Sequence, residues 1–576
     1  MLRTVTCGQL RIADVNKEVT LCGWVNRVRN LGSLCFVDLR DTYGITQLNI
    51  DPKFLETTPL HSEDCIQVTG TVIKKDEPNK HLETGEIEIL VKSIKVFSHA
   101  ETTPFTITDD TTASEETRMK YRYLDLRRPV MQKYLKKRHQ ILKVVRNYLE
   151  GLNFNEICTP TLIKSTPEGA RDYLVPSRIY KGSFYALPQS PQIFKQLLMI
   201  SGMDKYYQIA LCYRDEDQRA DRQPEFVQID CEMSFSDRED VLHVIEGLLK
   251  SVWKEVLNVE LPDFIRMPYQ VCINNYGSDK PDLRFGMRIE DVTAIFANTT
   301  FEAYKEKAVR GFKVSNYADK LSRKMMDADN ELVKKNKVYG VTHLKYVDNQ
   351  FSGGISKFLS DEEKEALVAK YELANNDVLI LGADASGEKM SMALGVLRLH
   401  YGDLLNLRPK DKFVPLFVID WPMFERNSEG QIECLSNPFT RPNDEDLHLF
   451  DTDPTQIRTY GYDTVMNGVE LSSGALRTYD SKIQEKVFKL LGLSDEQIKD
   501  RFGFFIESLK YGTPPMGGFG IGLERLCMVL CETDNVRDVI AFPKNLSAYD
   551  PMTQAPSKVD VENIDILGLE VKKEFR

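Results

Sequence analysis

The sequence predicts a multidomain α+β protein whose first domain is a small β-barrel. Its 576 residues suffice for about three or four domains. Residues 2 to about 105 contain short β-like runs separated by turn residues, which is typical of a small barrel. Farther along, a strand–loop–strand pattern at 206–235 and a glycine-rich run that leads into a helix at 512–530 indicate a second domain of mixed structure.

The predicted barrel strands fall in four runs, at residues 19–41, 45–50, 65–75 and 85–98. Each run is rich in β-branched and apolar residues, and short turns separate the runs. Phe36 lies in the first run, and taken alone it fits barrel core better than an exposed position.

The stretch 206–235 predicts two strands joined by a charged loop. From Phe226 onward apolar and polar residues alternate strictly, which predicts a half-buried strand with one wet, acidic face. The apolar face holds Ile229, Cys231, Met233 and Phe235, and the acidic face holds Gln228, Asp230, Glu232 and Ser234. The loop carries Arg214, Glu216, Arg219, Arg222 and Gln223 before Pro224. By charge density alone, a solvated hairpin tip fits equally well.

The glycine-rich run at 512–530 favours a phosphate site. Glycines at 517, 518, 520 and 522 let a ligand or another strand approach the backbone, and a helix that opens at Leu523 directs free N–H groups outward. Arg525 lies in the first turn of that helix, where a cation is unfavourable for the helix dipole. A bound polyphosphate therefore explains Arg525 better than helix stability does.

Composition limits the possible partners and compartments. The net charge of −11 argues against indiscriminate nucleic-acid binding, so RNA contact requires a local basic patch. Residues 118–146 form such a patch, although the solvated face of an amphipathic helix explains it equally well. The 11 cysteines include no CxxC pair, which argues against a cysteine zinc site. No apolar run approaches the roughly 20 residues that a membrane helix requires, and the N-terminal residues lack the apolar region of a signal peptide. We therefore expect a cytoplasmic protein.

Two motifs together resemble the class II aminoacyl-tRNA synthetases. YRDED at 213–217, with Phe226 twelve residues after Arg214, resembles motif 2, and GIGLER at 520–525 resembles motif 3. The segments 165–178 and 184–200 are similar to the flexible loop and substrate strand of the bacterial aspartyl branch, in subclass b. Residues 23–41 resemble the OB-fold anticodon-binding domain of aspartyl, asparaginyl and lysyl synthetases, and Gly382-Ala383-Asp384 resembles the GAD insertion of the bacterial aspartyl branch.

The resemblance implies an N-terminal OB-fold β-barrel, a class II synthetase catalytic domain with an antiparallel sheet, and an inserted α+β GAD domain. The implied boundaries are 1–105 for the OB-fold, 106–118 for a hinge, 119–287 and 413–556 for the two catalytic parts, 288–412 for the insertion, and 557–576 for a C-terminal extension. Residues 119–162, with a strand that ends at Pro160, resemble motif 1, which implies a homodimer.

The resemblance also implies the reaction and the residues that perform it. The chain would activate L-aspartate with ATP to aspartyl-adenylate, with Mg²⁺ as cofactor, and transfer the aspartyl group to tRNA-Asp. The implied catalytic residues are Arg214, Glu470 and Arg525. The implied aspartate-binding residues are Glu168, Gln192, Lys195, Arg214, Asp230, Ser436 and Arg477. The implied ATP-binding residues are Arg214, Asp215, Glu216, Gln223, Phe226, Glu470, Gly522, Leu523, Glu524 and Arg525. Arg29, Phe36, Gln47 and Glu88 would read the anticodon.

Asp463 and Glu470 would hold the magnesium ion. They are seven residues apart, so a regular strand would place them on opposite faces. A bulge, or a turn at Asn467-Gly468, is needed to bring both carboxylates to one ion.

Some positions depart from the family pattern, and other interpretations stay open. Ser436 and Asn437 stand where bacterial aspartyl enzymes usually carry two histidines, and Met516 replaces a third. Two tRNA specificities stay open: charging of tRNA-Asp alone, or of tRNA-Asn as well. The alternatives are an asparaginyl-type or lysyl-type enzyme and a catalytically idle RNA-binding paralogue. The presence of Arg214, Glu470 and Arg525 disfavours the idle paralogue.

Overall fold

The computed structural model describes residues 1–32, 34–166, 170–217, 219–572 and 574. Glu168, a predicted aspartate-binding residue, lies outside these described residues. The chain divides into two compact units, one of residues 1–136 with 537–557 and one of residues 137–536 with 558–576.

The first unit contains a closed barrel with strand order β1-β2-β3-β5-β4. Its strands are β1 (Glu18–Asn30), β2 (Cys35–Asp41), β3 (Gly44–Ile50), β4 (Cys65–Lys74) and β5 (Ile87–Ser98), and helix α1 (Pro52–Thr57) follows β3. Only β3 and β5 pair in parallel. In β2 the alternate residues Cys35, Val37 and Leu39 are fully buried in the barrel, whereas Phe36 is half-buried on the outer face. The predicted barrel is confirmed, and Phe36 does not belong to its core.

Three helices follow the barrel, α2 (Glu115–Lys120), α3 (Arg122–Asp125) and the long helix α4 (Pro129–Gly151), which begins in the first unit. The buried Arg122 pairs with Asp125 and donates to the carbonyl oxygens of Arg537 and Ile540 at 2.6 and 2.7 Å. These bonds satisfy a guanidinium removed from water and hold residues 537–557 against 115–125. The compact unit therefore extends beyond the barrel, and the domain boundaries expected from the sequence stay a prediction.

The second unit follows in two blocks. The first block comprises β6 (Asn155–Glu156), β7 (Leu174–Pro176), β8 (Phe184–Ala186), α5 (Gln192–Ile200), β9 (Lys205–Tyr213), β10 (Glu225–Ser234), α6 (Arg238–Leu257), β11 (Ile265–Pro268) and α7 (Tyr269–Tyr276). Residues 287–404, which contain an α+β insertion, come next. The chain then continues with β17 (Pro415–Ile419), β18 (Phe424–Arg426), β19 (Ile432–Cys434), β20 (Gly461–Met466), β21 (Val469–Leu476), α11 (Ser481–Leu490), α12 (Asp495–Ser508), β22 (Met516–Gly522), α13 (Leu523–Cys531) and α14 (Val561–Ile566).

Among the described residues, strands from both blocks form one sheet of eight strands in the order β11-β17-β20-β21-β22-β10-β9-β6. The six inner strands pair antiparallel, and the outermost pairs, β11 with β17 and β6 with β9, are parallel. Strand β22 pairs with both β10 and β21, so the two motifs that lie about 290 residues apart in sequence become neighbours (Asp230 opposite Gly520). Helix α6 buries the apolar side chains of Val241, Ile245, Leu248 and Val252.

The insertion has its own sheet and helices. Its elements are β12 (Glu290–Asp291), β13 (Ala308–Val314), α8 (Arg323–Lys334), β14 (Thr342–Val347), β15 (Gln350–Ser352), α9 (Asp361–Tyr371), β16 (Asp377–Asp384) and α10 (Gly387–Leu404). The strands are ordered β12-β13-β16-β14-β15. The central strand β16 is buried along Asp377–Gly382, which is expected for a strand covered on both faces. The α+β character is therefore as predicted, whereas the identity of this part as a GAD domain stays a prediction.

The expectation that β10 has one wet face is wrong. Asp230, Glu232 and Ser234 are buried as deeply as Ile229, Cys231 and Met233 on the opposite face. Cations from other elements cover the acidic side chains, and period-two alternation cannot reveal such a cover. Phe235 lies beyond the end of the strand and is 75% exposed, with a φ of +54°. Among the described residues, no helix has both the length and the apolar character that a bilayer span requires.

Candidate active site

A cleft of about 570 Å³ lies over the large sheet of the second unit. Strand β10 and the loop before it, the hairpin β20–β21, and the junction of β22 with α13 all contribute to its lining. It gathers most of the residues that the sequence points to. The predicted residues in its lining are Gln192, Lys195, Arg214, Glu216, Gln223, Phe226, Asp230, Ser436, Asp463, Glu470, Arg477, Gly522, Glu524 and Arg525.

Two of the predicted ATP-binding residues are not in this lining. Asp215 lies beside the cleft and pairs with Arg171 at 3.4 Å, and both side chains are largely exposed. Leu523 is fully buried, so its side chain belongs to the core and only its backbone could meet a ligand. The sequence motif contains both residues, but it does not distinguish a residue that contacts ligand from one that completes the turn.

Four charged side chains pair with one another at one end of the cleft. Lys195 Nζ is 2.8 Å from Asp230 Oδ1 and 3.3 Å from Glu232 Oε2. Arg477 donates from Nε and Nη2 to the two oxygens of Glu232, at 2.8 and 3.1 Å. All four side chains are at most 4% exposed. Two cations thus face two anions in the protein interior.

Sequence reasoning missed the role of Glu232. Its position on the same face as Asp230, two residues away, was the available signal, because both carboxylates had to point to one side. What the sequence does not reveal is that α5 supplies Lys195 to this face, and that Arg477, directly after β21, supplies the second cation.

The pKa values in this cluster follow from burial and pairing. Burial disfavours the Arg477 cation, but the Glu232 carboxylate outweighs this effect and raises the pKa of Arg477. Burial raises the pKa of Asp230, while Lys195 opposes the rise and Glu232 adds to it. Asp230 is therefore a carboxylate that gains from a further cationic partner.

Three polar atoms in the cleft have no hydrogen-bond partner among the described residues. They are Gln192 Nε2, Asp230 Oδ2 and Ser436 Oγ. Gln192 and Asp230 are only 6% and 2% exposed, and buried polar groups of this kind are nearly always satisfied in native proteins. An acceptor and a donor are thus available for a small polar ligand in this part of the cleft.

The other end of the cleft carries arginines and an aromatic ring. The Arg214 guanidinium lies over the ring of Phe226 at 4.9 Å. Arg525 contacts Asp221 Oδ2 and the Glu470 carbonyl oxygen, each at 3.3 Å. The side chain of Arg525 is 29% exposed, so it can reach a ligand in the cleft.

The glycines of β22 serve two different purposes. A Cβ at Gly518 would overlap the Glu232 carboxylate and the Cys231 carbonyl, so this glycine is required where β10 and β22 pair. At Gly520 and Gly522, both in the cleft lining, the nearest atoms to a Cβ are 3.4 and 4.0 Å away. The backbone there is open to a ligand rather than crowded by the protein.

Glu524 makes protein contacts with both carboxylate oxygens. Arg138 of α4 donates to Oε1 at 2.8 Å, and the Val227 N–H donates to Oε2 at 3.0 Å. The basic segment 118–146 therefore supplies at least one arginine to the protein interior. Lys137 similarly donates to the Leu530 carbonyl oxygen at 2.7 Å. Whether other cations of this segment contact RNA stays a prediction.

Asp463 and Glu470 reach the same cleft from neighbouring strands. A β-bulge lies between Thr464 and Val465 in the β20–β21 pairing, and the two-residue turn Asn467-Gly468 has φ values of +54° and +87°. The bulge shifts the alternation of side chains, and this irregularity lets Asp463 and Glu470, seven residues apart, face the same cleft. Burial raises the pKa of Asp463 well above its usual range, and the nearby Glu470 carboxylate adds to the rise. This accumulation of negative charge suits a bound cation.

The residues predicted to read an anticodon lie together on the outer face of the barrel. Arg29 Nη2 donates to Asp38 Oδ1 at 2.7 Å and to Gln47 Oε1 at 3.1 Å. Gln47 and Asn49 donate to the two oxygens of Glu88 at 2.6 and 2.8 Å. Phe36 lies opposite Arg29 on β1 and opposite Asn49 on β3. Sequence reasoning missed Asp38 and Asn49, although each lies two residues after Phe36 or Gln47 and therefore on the same face of its strand.

Comparisons with known proteins agree with this architecture. The family model described as tRNA synthetases class II (D, K and N) matches residues 114–546, and an OB-fold nucleic acid binding domain matches residues 19–97. Similar curated proteins include the aspartate–tRNA ligase of Clostridium tetani, 46% identical over 99% of this chain and 98% of the relative. That of Clostridium botulinum strain Loch Maree is 47% identical with the same coverage.

The chain belongs to the aspartate–tRNA ligases. It is accordingly an aminoacyl-tRNA synthetase of class II, an enzyme class that uses ATP with a divalent metal. Solved structures show the same fold. Asparaginyl-tRNA synthetase from Pyrococcus horikoshii, complexed with asparaginyl-adenylate, has a TM-score of 0.60 and 17% identity, covering 94% of this chain and 98% of that one. A putative aspartyl-tRNA synthetase from Leishmania major has a TM-score of 0.60 and 20% identity, with 94% of each chain covered.

Proposed function

We propose that this chain activates L-aspartate with ATP and transfers the aspartyl group to the 3′ end of tRNA-Asp. The observation that carries the proposal is the cluster of Lys195, Asp230, Glu232 and Arg477 in the same cleft as Arg214 and Arg525. A small acidic amino acid fits the first group, and a polyphosphate fits the second.

In the first step, the α-carboxylate of aspartate attacks the α-phosphorus of ATP, and the bond to the β-phosphate oxygen breaks to release pyrophosphate. The attacking oxygen comes from the substrate, so positioning and charge stabilisation supply the rate. Arg214 would hold the α-phosphate and the substrate carboxylate, and Arg525 would hold the distal phosphates. Phe226 would stack on adenine, and Glu216, Gln223 and the backbone at Gly522 would complete the ATP contacts.

The substrate ammonium group is proposed to bind at Asp230. Its Oδ2 lacks a hydrogen-bond partner among the described residues, and burial raises the pKa of Asp230 although Lys195 opposes the rise. Gln192 Nε2 is the neighbouring donor without a partner, and we assign it to the substrate carboxyl group. Glu168 belongs to this set only by family resemblance, and Ser436 Oγ is proposed to contact the substrate from the other side of the cleft.

Asp463 and Glu470 fit Mg²⁺, because both offer hard oxygen ligands and a bound cation would offset the burial and the Glu470 charge that raise the pKa of Asp463. When bound, the ion would neutralise charge on the phosphate oxygens of ATP. The identity of the ion as magnesium is part of the proposal.

Selection of aspartate over asparagine is assigned to Lys195 and Arg477. Each already has a protein carboxylate as partner, so their orientations are set before the substrate arrives. With the substrate ammonium group at Asp230, the side-chain carboxylate of aspartate keeps the cluster neutral, whereas the neutral amide of asparagine leaves an excess positive charge. An amide would also place an NH₂ donor against the donors of Lys195 and Arg477.

In the second step, the terminal ribose hydroxyl of the tRNA attacks the aspartyl carbonyl carbon, and AMP leaves. The outer barrel face that carries Arg29, Phe36, Gln47 and Glu88 is proposed to bind the anticodon. Its aromatic ring can stack on a base, while its ordered amides and carboxylate can meet base edges. We further infer that the enzyme is cytoplasmic and, from the resemblance of residues 119–162 to motif 1, a homodimer.

The test is aminoacylation of purified tRNA-Asp and tRNA-Asn transcripts with labelled aspartate, asparagine or lysine. We expect aspartate to be attached to tRNA-Asp. Attachment of asparagine or lysine in its place would contradict the substrate assignment, and the tRNA-Asn reaction measures how strictly the tRNA is chosen.

The substitution Arg477→Leu tests the aspartate end of the cleft separately from the ATP end. It should abolish aspartate-dependent ATP–pyrophosphate exchange while ATP binding persists, because Arg525 and Phe226 are untouched. Arg323→Leu, on the exposed side of α8 in the insertion, is the matched control and should retain full activity. Unchanged exchange in Arg477→Leu would remove Arg477 from its proposed role.

A further inference from the structure

Two histidines flank one buried carboxylate in the first unit, away from the residues discussed so far. His61 and Asp64 lie in the loop between α1 and β4, and His99 directly follows β5. His99 Nδ1 is 3.1 Å from Asp64 Oδ2, and His61 Nδ1 is 3.6 Å from the same oxygen. The Asp64 side chain is fully buried, while the His61 and His99 side chains are 65% and 57% exposed.

These separations match the edges of a metal coordination polyhedron. A tetrahedral zinc ion bonded to nitrogen and oxygen at about 2.0–2.2 Å has ligand atoms roughly 3.3–3.6 Å apart. The two nitrogen–oxygen distances lie close to this range. The three candidate ligand atoms are all within 4.8 Å of one another, which is close enough for one ion to contact all three.

The surrounding structure holds the carboxylate in place. The Ala100 N–H donates to Asp64 Oδ1 at 2.7 Å, and the His61 N–H donates to Oδ2 at 2.8 Å. Glu63, the residue between, has a φ of +70° and directs its carboxylate to Arg40 and Arg127, at 2.8 and 2.9 Å. Glu63 is thereby drawn away from the two imidazoles. Asp64 is left as the carboxylate that faces both rings.

The charge state of the cluster also suits a cation. Burial opposes ionisation of Asp64, but the N–H groups of His61 and Ala100 and the ring of His99 outweigh it, and the pKa of Asp64 is lowered. Two imidazole nitrogens and a carboxylate oxygen form a donor set for zinc-like ions rather than for magnesium or calcium.

We propose that His61, Asp64 and His99 bind one divalent transition-metal ion, such as Zn²⁺ or Co²⁺, with water in the remaining position. The ion would tie the loop before β4 to the residues that leave β5, and so stabilise the barrel where the chain exits. Glu88 and the proposed anticodon face lie at the opposite end of β5. The site is independent of the proposed function.

The experiment uses the full-length chain after treatment with a chelator. Zn²⁺ is titrated calorimetrically in excess Mg²⁺, which occupies the Asp463–Glu470 carboxylates, and Co²⁺ serves as the optical probe of coordination. We expect one equivalent to bind with a micromolar Kd and to raise Tm. His61→Asn and His99→Asn should each weaken binding at least tenfold and remove the Tm increase. His81→Asn, an exposed histidine of the same unit, should bind as the wild type does.

Failure of the wild type to bind Zn²⁺ at 100 μM would overturn the proposal. Equal binding by the wild type and both variants would overturn it as well, because the ion would then lie elsewhere. The rings of His61 and His99 are exposed, so both variants should fold, and unaltered ATP–pyrophosphate exchange in Mg²⁺ without added Zn²⁺ verifies this independently.

Discussion

Arg477 and Glu232 form a bidentate ion pair in the interior of the second unit, with nitrogen–oxygen distances of 2.8 and 3.1 Å. Glu232 also lies 3.3 Å from Lys195, so one carboxylate orients both cations that we assign to aspartate selection. A bidentate partner fixes the plane of a guanidinium as well as its position.

We therefore expect Glu232→Gln to impair aspartate activation, because Arg477 and Lys195 lose the carboxylate that orients them. The amide keeps the shape of the side chain but loses the charge that pairs with Arg477 and Lys195. We expect kcat/KM for aspartate to fall about 10²-fold, as small misplacements in active sites do, while ATP binding is retained. Pyrophosphate exchange at varied aspartate measures the effect. Glu255→Gln, on the exposed side of α6, is the control. A variant with wild-type aspartate kinetics would show that Glu232 is only structural.

Two glycines of β22 should respond differently to the same substitution. Gly518→Ala places a methyl group against Glu232 and Cys231, so we expect about 1–3 kcal/mol of destabilisation. Gly520→Ala meets nothing closer than 3.4 Å and should unfold as the wild type does, but its methyl group projects into the cleft and should weaken ATP binding. Denaturant unfolding and nucleotide titration of both variants test this. Equal stability of the two variants would contradict the assignment of Gly518 to strand packing and of Gly520 to the open lining of the cleft.

The link between Arg138 and Glu524 predicts an effect of α4 on the nucleotide site. Arg138→Leu removes the cation that holds Glu524 Oε1, and Glu524 also fixes the backbone next to Phe226 through Val227. We expect the KM for ATP to rise about tenfold with a smaller change in kcat. Lys143→Leu, an exposed position of the same helix, should have no effect. In a double-mutant cycle with Glu524→Gln, additive losses would show that the two residues act separately.

Phe36 should matter for the tRNA and not for adenylate formation. Loss of a stacked base costs about 1–3 kcal/mol, so Phe36→Ala should lower kcat/KM for tRNA-Asp by about 5- to 150-fold. Pyrophosphate exchange should be unchanged. Phe97→Ala removes an aromatic ring that is 40% exposed elsewhere on the barrel and should leave charging intact. Equal charging by the two variants would place the anticodon on another surface.

Asp463→Asn should raise the thermal stability of the metal-free protein and lower its activity. Burial and the nearby Glu470 make the Asp463 carboxylate unfavourable without a cation. In chelator, the variant should therefore melt about 1–3 °C above the wild type, while pyrophosphate exchange in Mg²⁺ falls by about 10²-fold or more. The exposed Asp327→Asn on α8 is the control and should change neither quantity. A lower Tm in chelator would argue against the unfavourable charge.

Local patterns in the sequence were sufficient to predict features that depend on the local backbone alone. The short β-like runs separated by turn residues predict the barrel, and the glycines before Leu523 predict an open backbone at a helix start. Arg214, Phe226 and Arg525 could be placed in one site because the two motifs recur together in one enzyme class. The irregular pairing between Asp463 and Glu470 was also predictable, because an odd spacing cannot place two side chains on one face of a regular strand.

By itself, then, the sequence determined the family, the barrel, the two motifs and most residues of the cleft. Only the tertiary structure decided what covers each face: that Glu232 is buried between Lys195 and Arg477, that Glu524 is occupied by Arg138, and that His61 and His99 converge on Asp64. The physical reason is that periodicity specifies the direction of a side chain relative to its own strand or helix. Its partner comes from a distant segment, and strand register and helix placement decide which segment that is.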